Sequence, residues 1–111
     1  MRSVLLLFVS AALSFAQLQG IVDIHVHSDP DSVPRSIDAL DLAKLAKDEG
    51  MRALVLKNHW TPTVQLAYTV GRVVPGIEIY GAISLDRAVG GVNPEAVKQQ
   101  AALAGHRLPA A

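Results

Sequence analysis

The stretch GIVDIHVHSD, residues 20–29, decides how the rest of the chain is read. Ile21, Val22, Ile24 and Val26 favour extended backbone, and the segment runs straight into a turn-rich stretch. Together these predict a short strand. Side chains alternate along a strand, so Asp23, His25 and His27 are expected on one face and Ile24 and Val26 on the other. Two imidazoles at that spacing can converge on one ion, and zinc takes neutral imidazole nitrogen at about 2.0–2.1 Å. The plain alternative is a pair of histidines satisfied inside a core strand, because a bare His-x-His is a weak motif.

Downstream, SDPDSVPRS (28–36) reads as a loop. SIDALDLAKLAKDEG (36–50) reads as a helix. Ser36 is the expected N-cap, Asp38 suits the first turn, and Ala39, Leu42, Ala43, Leu45 and Ala46 form an apolar stripe. Gly50 fits the left-handed position just beyond the end. MRALVLKNHW (51–60) is a continuous apolar run ending in polar residues, as in a strand buried on both faces of a parallel sheet. Val55, Lys57 and His59 share a face if the strand stays extended that far. TPTVQLAYTVGRVVPG (61–76) predicts a second helix, capped by Thr61 with Pro62 at its first position. GIEIYGAISLD (76–86) predicts a third strand. A loop follows, then a helix capped by Asn93, opened by Pro94 and closed by Gly105. Strand–helix alternation of this kind indicates a parallel α/β sheet.

The 111 residues bound the chain to one domain. Ten basic and ten acidic residues cancel, so nothing attracts nucleic acid or anionic lipid over a distance. With no cysteine, disulfides, thiolate zinc sites and a cysteine nucleophile are excluded. Residues 1–16 read as a secretory signal peptide: Arg2, an apolar run from Val4 to Leu13, then Ser14 and Ala16 ahead of a cleavage point. A buried N-terminal element is the alternative there. The expected mature chain, Gln17–Ala111, is exported, periplasmic or secreted, and carries no stable membrane anchor: the apolar run is too short for a span of about 20 residues.

DIHVHSD, a helix ending at Gly50, and then ALVLKNH resemble the start of metal-dependent hydrolases built on (β/α) barrels. The nearest sets are the amidohydrolases and the polymerase-and-histidinol-phosphatase (PHP) phosphoesterases. The wider segment, including GIEIYGAISLD and AVGGVNPEAV, looks like a poorly characterised amidohydrolase-like family; the resemblance covers about residues 20–104. It implies a TIM-barrel-like fold, of which residues 17–111 would supply about three βα units. It also implies a divalent ion, zinc foremost, and a metal-activated water attacking a C–N, C–O or phosphoester bond of a small-molecule substrate. His25 and His27 match the first-strand ligands, and His59 matches the histidine that ends the second strand of the PHP pattern. Asn58 stands where that pattern has aspartate, which removes a charged ligand. Lys57 is expected to hold a substrate anion or to pair with Asp23, and Asp29 to bind the ion directly or through water.

Complete barrels of this type have roughly 200 or more residues. The chain therefore resembles an N-terminal part of such an enzyme, or a degenerate relative, and no general base is visible. His106 is expected at the surface. Asp31 reads as a loop residue, Trp60 as packing at the strand mouth, and Asp86 as a residue that could face the site. A non-catalytic metal-binding or interaction module is the alternative function. Open sheet edges would also permit homo-oligomerisation.

Overall fold

A computed structural model describes residues 18–105. The expected signal peptide and His106 lie outside the described residues. Three strands, β1 (Val22–Val26), β2 (Ala53–Leu56) and β3 (Glu78–Tyr80), alternate with three helices, α1 (Ala39–Asp48), α2 (Val64–Val73) and α3 (Pro94–Gly105). The sheet is wholly parallel in the order β1-β2-β3, as the alternation predicts. A 3-10 turn at Arg87–Val89 precedes α3. No described helix is long and apolar enough to cross a membrane.

Both crossover helices cover the same face of the sheet. Ala39, Ala43 and Ala46 of α1 and Ala67 and Val70 of α2 pack with Leu54, Leu56 and Ile79 from the strands. Small residues on the helices and branched residues on the strands let the two layers approach closely. β2 is central, and Leu54 and Leu56 are each 1 % exposed. β1 is an edge strand, and its Ile24 stays 72 % exposed.

The register of β1 overturns the simple alternation expected for it. Asp23 pairs with Leu54 and Val26 with Leu56, so three steps on β1 match two on β2 and the register shifts between them. Such an insertion is a β-bulge, which re-aims the side chains beyond it. Residues in lateral register share a face, so Asp23 and Val26 both lie on the helix side with the two leucines. His25 and His27 lie on the opposite face. Asp23 is therefore not on the histidines' face; its carboxylate accepts the His25 backbone N–H at 2.9 Å.

Two helix starts also move inward. The N-cap of α1 is Asp38, which accepts from the N–H groups of Leu40 and Asp41 at 2.8 and 2.9 Å. Ser36 is too early because Asp29 holds the incoming chain extended: its N–H donates to Ile37 O and its carbonyl accepts from Ala39 N. α2 begins after Thr63, not Thr61. The hydroxyl of Thr63, a residue 1 % exposed, donates to Leu56 O at 2.6 Å and accepts from Ala82 N at 2.8 Å. It thereby clamps the end of β2 to the segment after β3. Gly50 (φ +79°) closes α1 as expected, and Asn93 caps α3 by accepting from Ala96 N at 3.2 Å.

Gly81 follows β3 where the backbone of α2 crosses it. A Cβ there would sit 2.5 Å from Val64 N and 2.6 Å from the carbonyl carbon of Thr63. Backbone cannot yield cheaply, so Gly81→Ala is expected to lower stability by about 1–3 kcal/mol, the scale of overpacking. Thr63→Val is expected to cost about 1–3 kcal/mol through the unsatisfied buried carbonyl and amide it leaves. Urea denaturation of both variants checks these values.

Candidate metal centre

Parallel sheets carry their sites at the C-terminal ends of the strands, and here the polar side chains collect at that end. His27 immediately follows β1, and Lys57 follows β2 with its N–H donating to Val26 O at 2.7 Å. β2 ends at Leu56, so His59 is not carried on extended strand; it sits in a bend just beyond. It nevertheless converges with the first-strand pair. The rings of His27 and His59 stack with centroids 4.8 Å apart and planes 16° from parallel. His25 joins from the other side, its Nε2 3.2 Å from Nε2 of His27.

The loop between β1 and α1 supplies two further members. Asp31 Oδ2 lies 4.0 Å from His27 Nδ1. Arg35 donates to that same Oδ2 through its Nε at 2.9 Å and through its terminal nitrogen at 2.6 Å. The terminal nitrogen also lies 3.1 Å from His59 Nδ1 and 3.4 Å from His27 Nδ1. Ligand atoms of His27, Asp31 and His59 all fall within 4.8 Å of one another, so these three residues could hold a metal ion. Imidazole nitrogen with carboxylate oxygen is a donor set that divalent ions accept. The Arg35 guanidinium already lies against all three of these residues.

The electrostatics follow from this crowding. The His27 imidazolium is disfavoured, first by partial burial, then by the Arg35 charge and by the neighbouring His59 and His25; Asp31 opposes the effect. His27 therefore titrates below the usual imidazole range and offers a neutral ring, the form that ligates metal. Asp31, whose side chain is fully shielded from solvent, is held below the usual carboxylate range. Its hydrogen bonds from Arg35 are the main cause, and a backbone bond from Ser32 adds to them against the cost of desolvation.

The expected site residues are thus only partly brought together. His27 and His59 belong to the cluster, and His25 touches it through His27. Asp31 enters in place of Asp29, whose carboxylate instead accepts Arg35 N at 3.0 Å and shapes the loop. Asp23 positions His25 through its backbone. Lys57 follows β2 and is tied by its backbone N–H to Val26 O, one residue before His27. Asp86 caps the 3-10 turn by accepting Ala88 N at 3.0 Å. Trp60 is half exposed in the bend after β2. Asn58 has a structural task that the aspartate of the PHP pattern could not perform. Its buried amide donates to Pro30 O at 2.9 Å and so ties the Asp31 loop to the end of β2.

Residues 20–108 match the profile described as "Family of unknown function (DUF6282)". The chain belongs to that family. No curated protein and no solved structure matches the chain. The DUF6282 match spans β1 through α3 and includes every residue of the histidine cluster and its loop.

Asn58→Asp is expected to lower stability by about 1–3 kcal/mol, because a donor becomes an acceptor facing a carbonyl; chemical denaturation measures it. Asp31 makes a second prediction. A carboxyl whose pKa is depressed by folding stabilises the fold above its unfolded pKa, and that contribution is lost as pH falls through the folded value. Thermal melts should therefore fall more steeply below about pH 4 in the natural chain than in Asp31→Asn.

Proposed function

We propose that this chain provides the first part of a metal-dependent hydrolase site of the amidohydrolase kind, in which His27, His59 and Asp31 hold a divalent ion, zinc foremost. The observation that carries the reading is the convergence of those three ligand groups within 4.8 Å at the C-terminal end of a parallel sheet. The consecutive strand order with both crossover helices on one face suits a segment of a (β/α) barrel. On this reading His25, His27 and Lys57 face the barrel interior. A bound ion of this type supplies a water with a pKa near 7 and polarises a carbonyl or phosphoryl oxygen. On this reading Lys57, whose backbone N–H bonds to Val26 O just before His27, attracts an anionic group of a small-molecule substrate.

One feature favours the non-catalytic alternative for these residues taken alone. The candidate aspartates already have structural hydrogen bonds: Asp23 with His25 N, Asp29 with Arg35 N, Asp31 with Arg35, and Asp86 with Ala88 N. None stands ready as a general base. A metal-binding module would need only the ligands.

Zinc content of the purified chain separates these readings from the plain alternative. We expect about one ion per chain, at least tenfold weaker in His27→Ala or His59→Ala, the range seen when ligand environments are disturbed. Affinity unchanged by both substitutions would remove the ligand assignment. Zinc bound by these residues without hydrolysis of amide, ester or phosphoester test substrates would favour the binding module.

A further inference from the structure

We infer that Arg35 is the built-in occupant of the metal centre, and that a divalent ion enters only as the Arg35 guanidinium withdraws. The inference rests on the metal-binding reading above and adds a competitor to it.

A guanidinium carries donors and no acceptor. One N–H of its terminal nitrogen goes to Asp31 Oδ2; the other is shared between His59 Nδ1 at 3.1 Å and His27 Nδ1 at 3.4 Å, and on this inference both Nδ1 atoms face it as acceptors. In the neutral rings the proton must then lie on Nε2. With that tautomer the Nε2–H of His27 is the donor in its 3.2 Å contact with Nε2 of His25, which then requires the His25 proton on Nδ1. Arg35, His27 and His25 thus form one directed chain of hydrogen bonds.

That chain closes the site on both sides of His27. On the Nδ1 side, where His27, Asp31 and His59 converge, the guanidinium holds the lone pairs an ion would need. On the Nε2 side, where His25 and His27 meet, the His27 lone pair is covered by a proton. Moving that proton to Nδ1 would set an N–H against the N–H of Arg35. Either mode of binding requires the same event, release of Arg35. The residue is built to allow it. Its backbone N–H stays anchored on Asp29, while its side chain, 21 % exposed, can turn about its own torsions.

Zinc affinity is measured by competition with a chromophoric chelator on the full chain, for the natural sequence, Arg35→Gln, Arg35→Met and His27→Ala. The glutamine variant guards against misfolding, since its amide still donates to the buried Asp31. We expect zinc to bind about 10–100-fold more tightly in both Arg35 variants, the scale of changes around metal ligands. In the natural chain, zinc should displace the ¹H–¹⁵N resonance of the Arg35 Nε–H as it leaves Asp31. Binding that needs His27 but is no tighter in the variants, or an Nε–H signal unmoved at saturating zinc, overturns the role of Arg35 and leaves the metal reading standing. Zinc bound by none of the folded chains removes the metal reading itself, and the inference with it.

Discussion

The ion pair between Asp31 and Arg35 organises the sheet's polar end. Asp31 is shielded from solvent and depends on the guanidinium 2.6 Å away. A buried carboxylate without such a partner would be strongly destabilising. The same guanidinium reaches the two stacked imidazoles of His27 and His59. One cation thus pairs with a carboxylate and lies against two ring nitrogens that would otherwise crowd together. The loop on which the pair sits is itself fixed from outside, by Asn58 donating to Pro30 O and by Asp29 bonding to Ile37, Ala39 and Arg35.

The sheet positions this loop by two local devices. The bulge in β1 turns His25 and His27 away from the helices while keeping Val26 in the core. The buried Thr63 hydroxyl joins the ends of β2 and β3 so that the bend carrying His59 has a fixed base. Neither device has an apolar pattern of its own. Each works through a side chain that bonds to backbone groups, Asp23 to His25 N and Thr63 to Leu56 O and Ala82 N.

Much of the scaffold is legible in the sequence because periodicity and capping residues carry it. The β–α alternation, the left-handed Gly50 and the Asn93–Pro94 helix start can all be read from residue types. His27 and His59 are legible as candidate ligands because one closes the first strand and the other lies shortly after the apolar run of the second. The site's other half is hidden for physical reasons. The bulge depends on Asp23 accepting its own chain's N–H, which looks in sequence like ordinary alternation. Asp31 joins the cluster on a loop that folds back under a hydrogen bond to Pro30 O from Asn58, 28 residues beyond Pro30 along the chain. Arg35 leaves one readable trace: an acidic residue four before it, in a polar loop directly after a His-x-His pair. That spacing signals an ion pair, though it does not signal that the pair lies against two histidine rings.

X-ray absorption at the zinc edge of the loaded full-length chain tests the central claim most directly, because it reads the ligands of the ion without reference to activity. The account predicts nitrogen and oxygen donors at about 2.0–2.1 Å, with the outer scattering of at least two imidazole rings, reduced by one ring in His59→Ala. A six-oxygen shell without imidazole scattering, or a spectrum unchanged by both His27→Ala and His59→Ala, would contradict it.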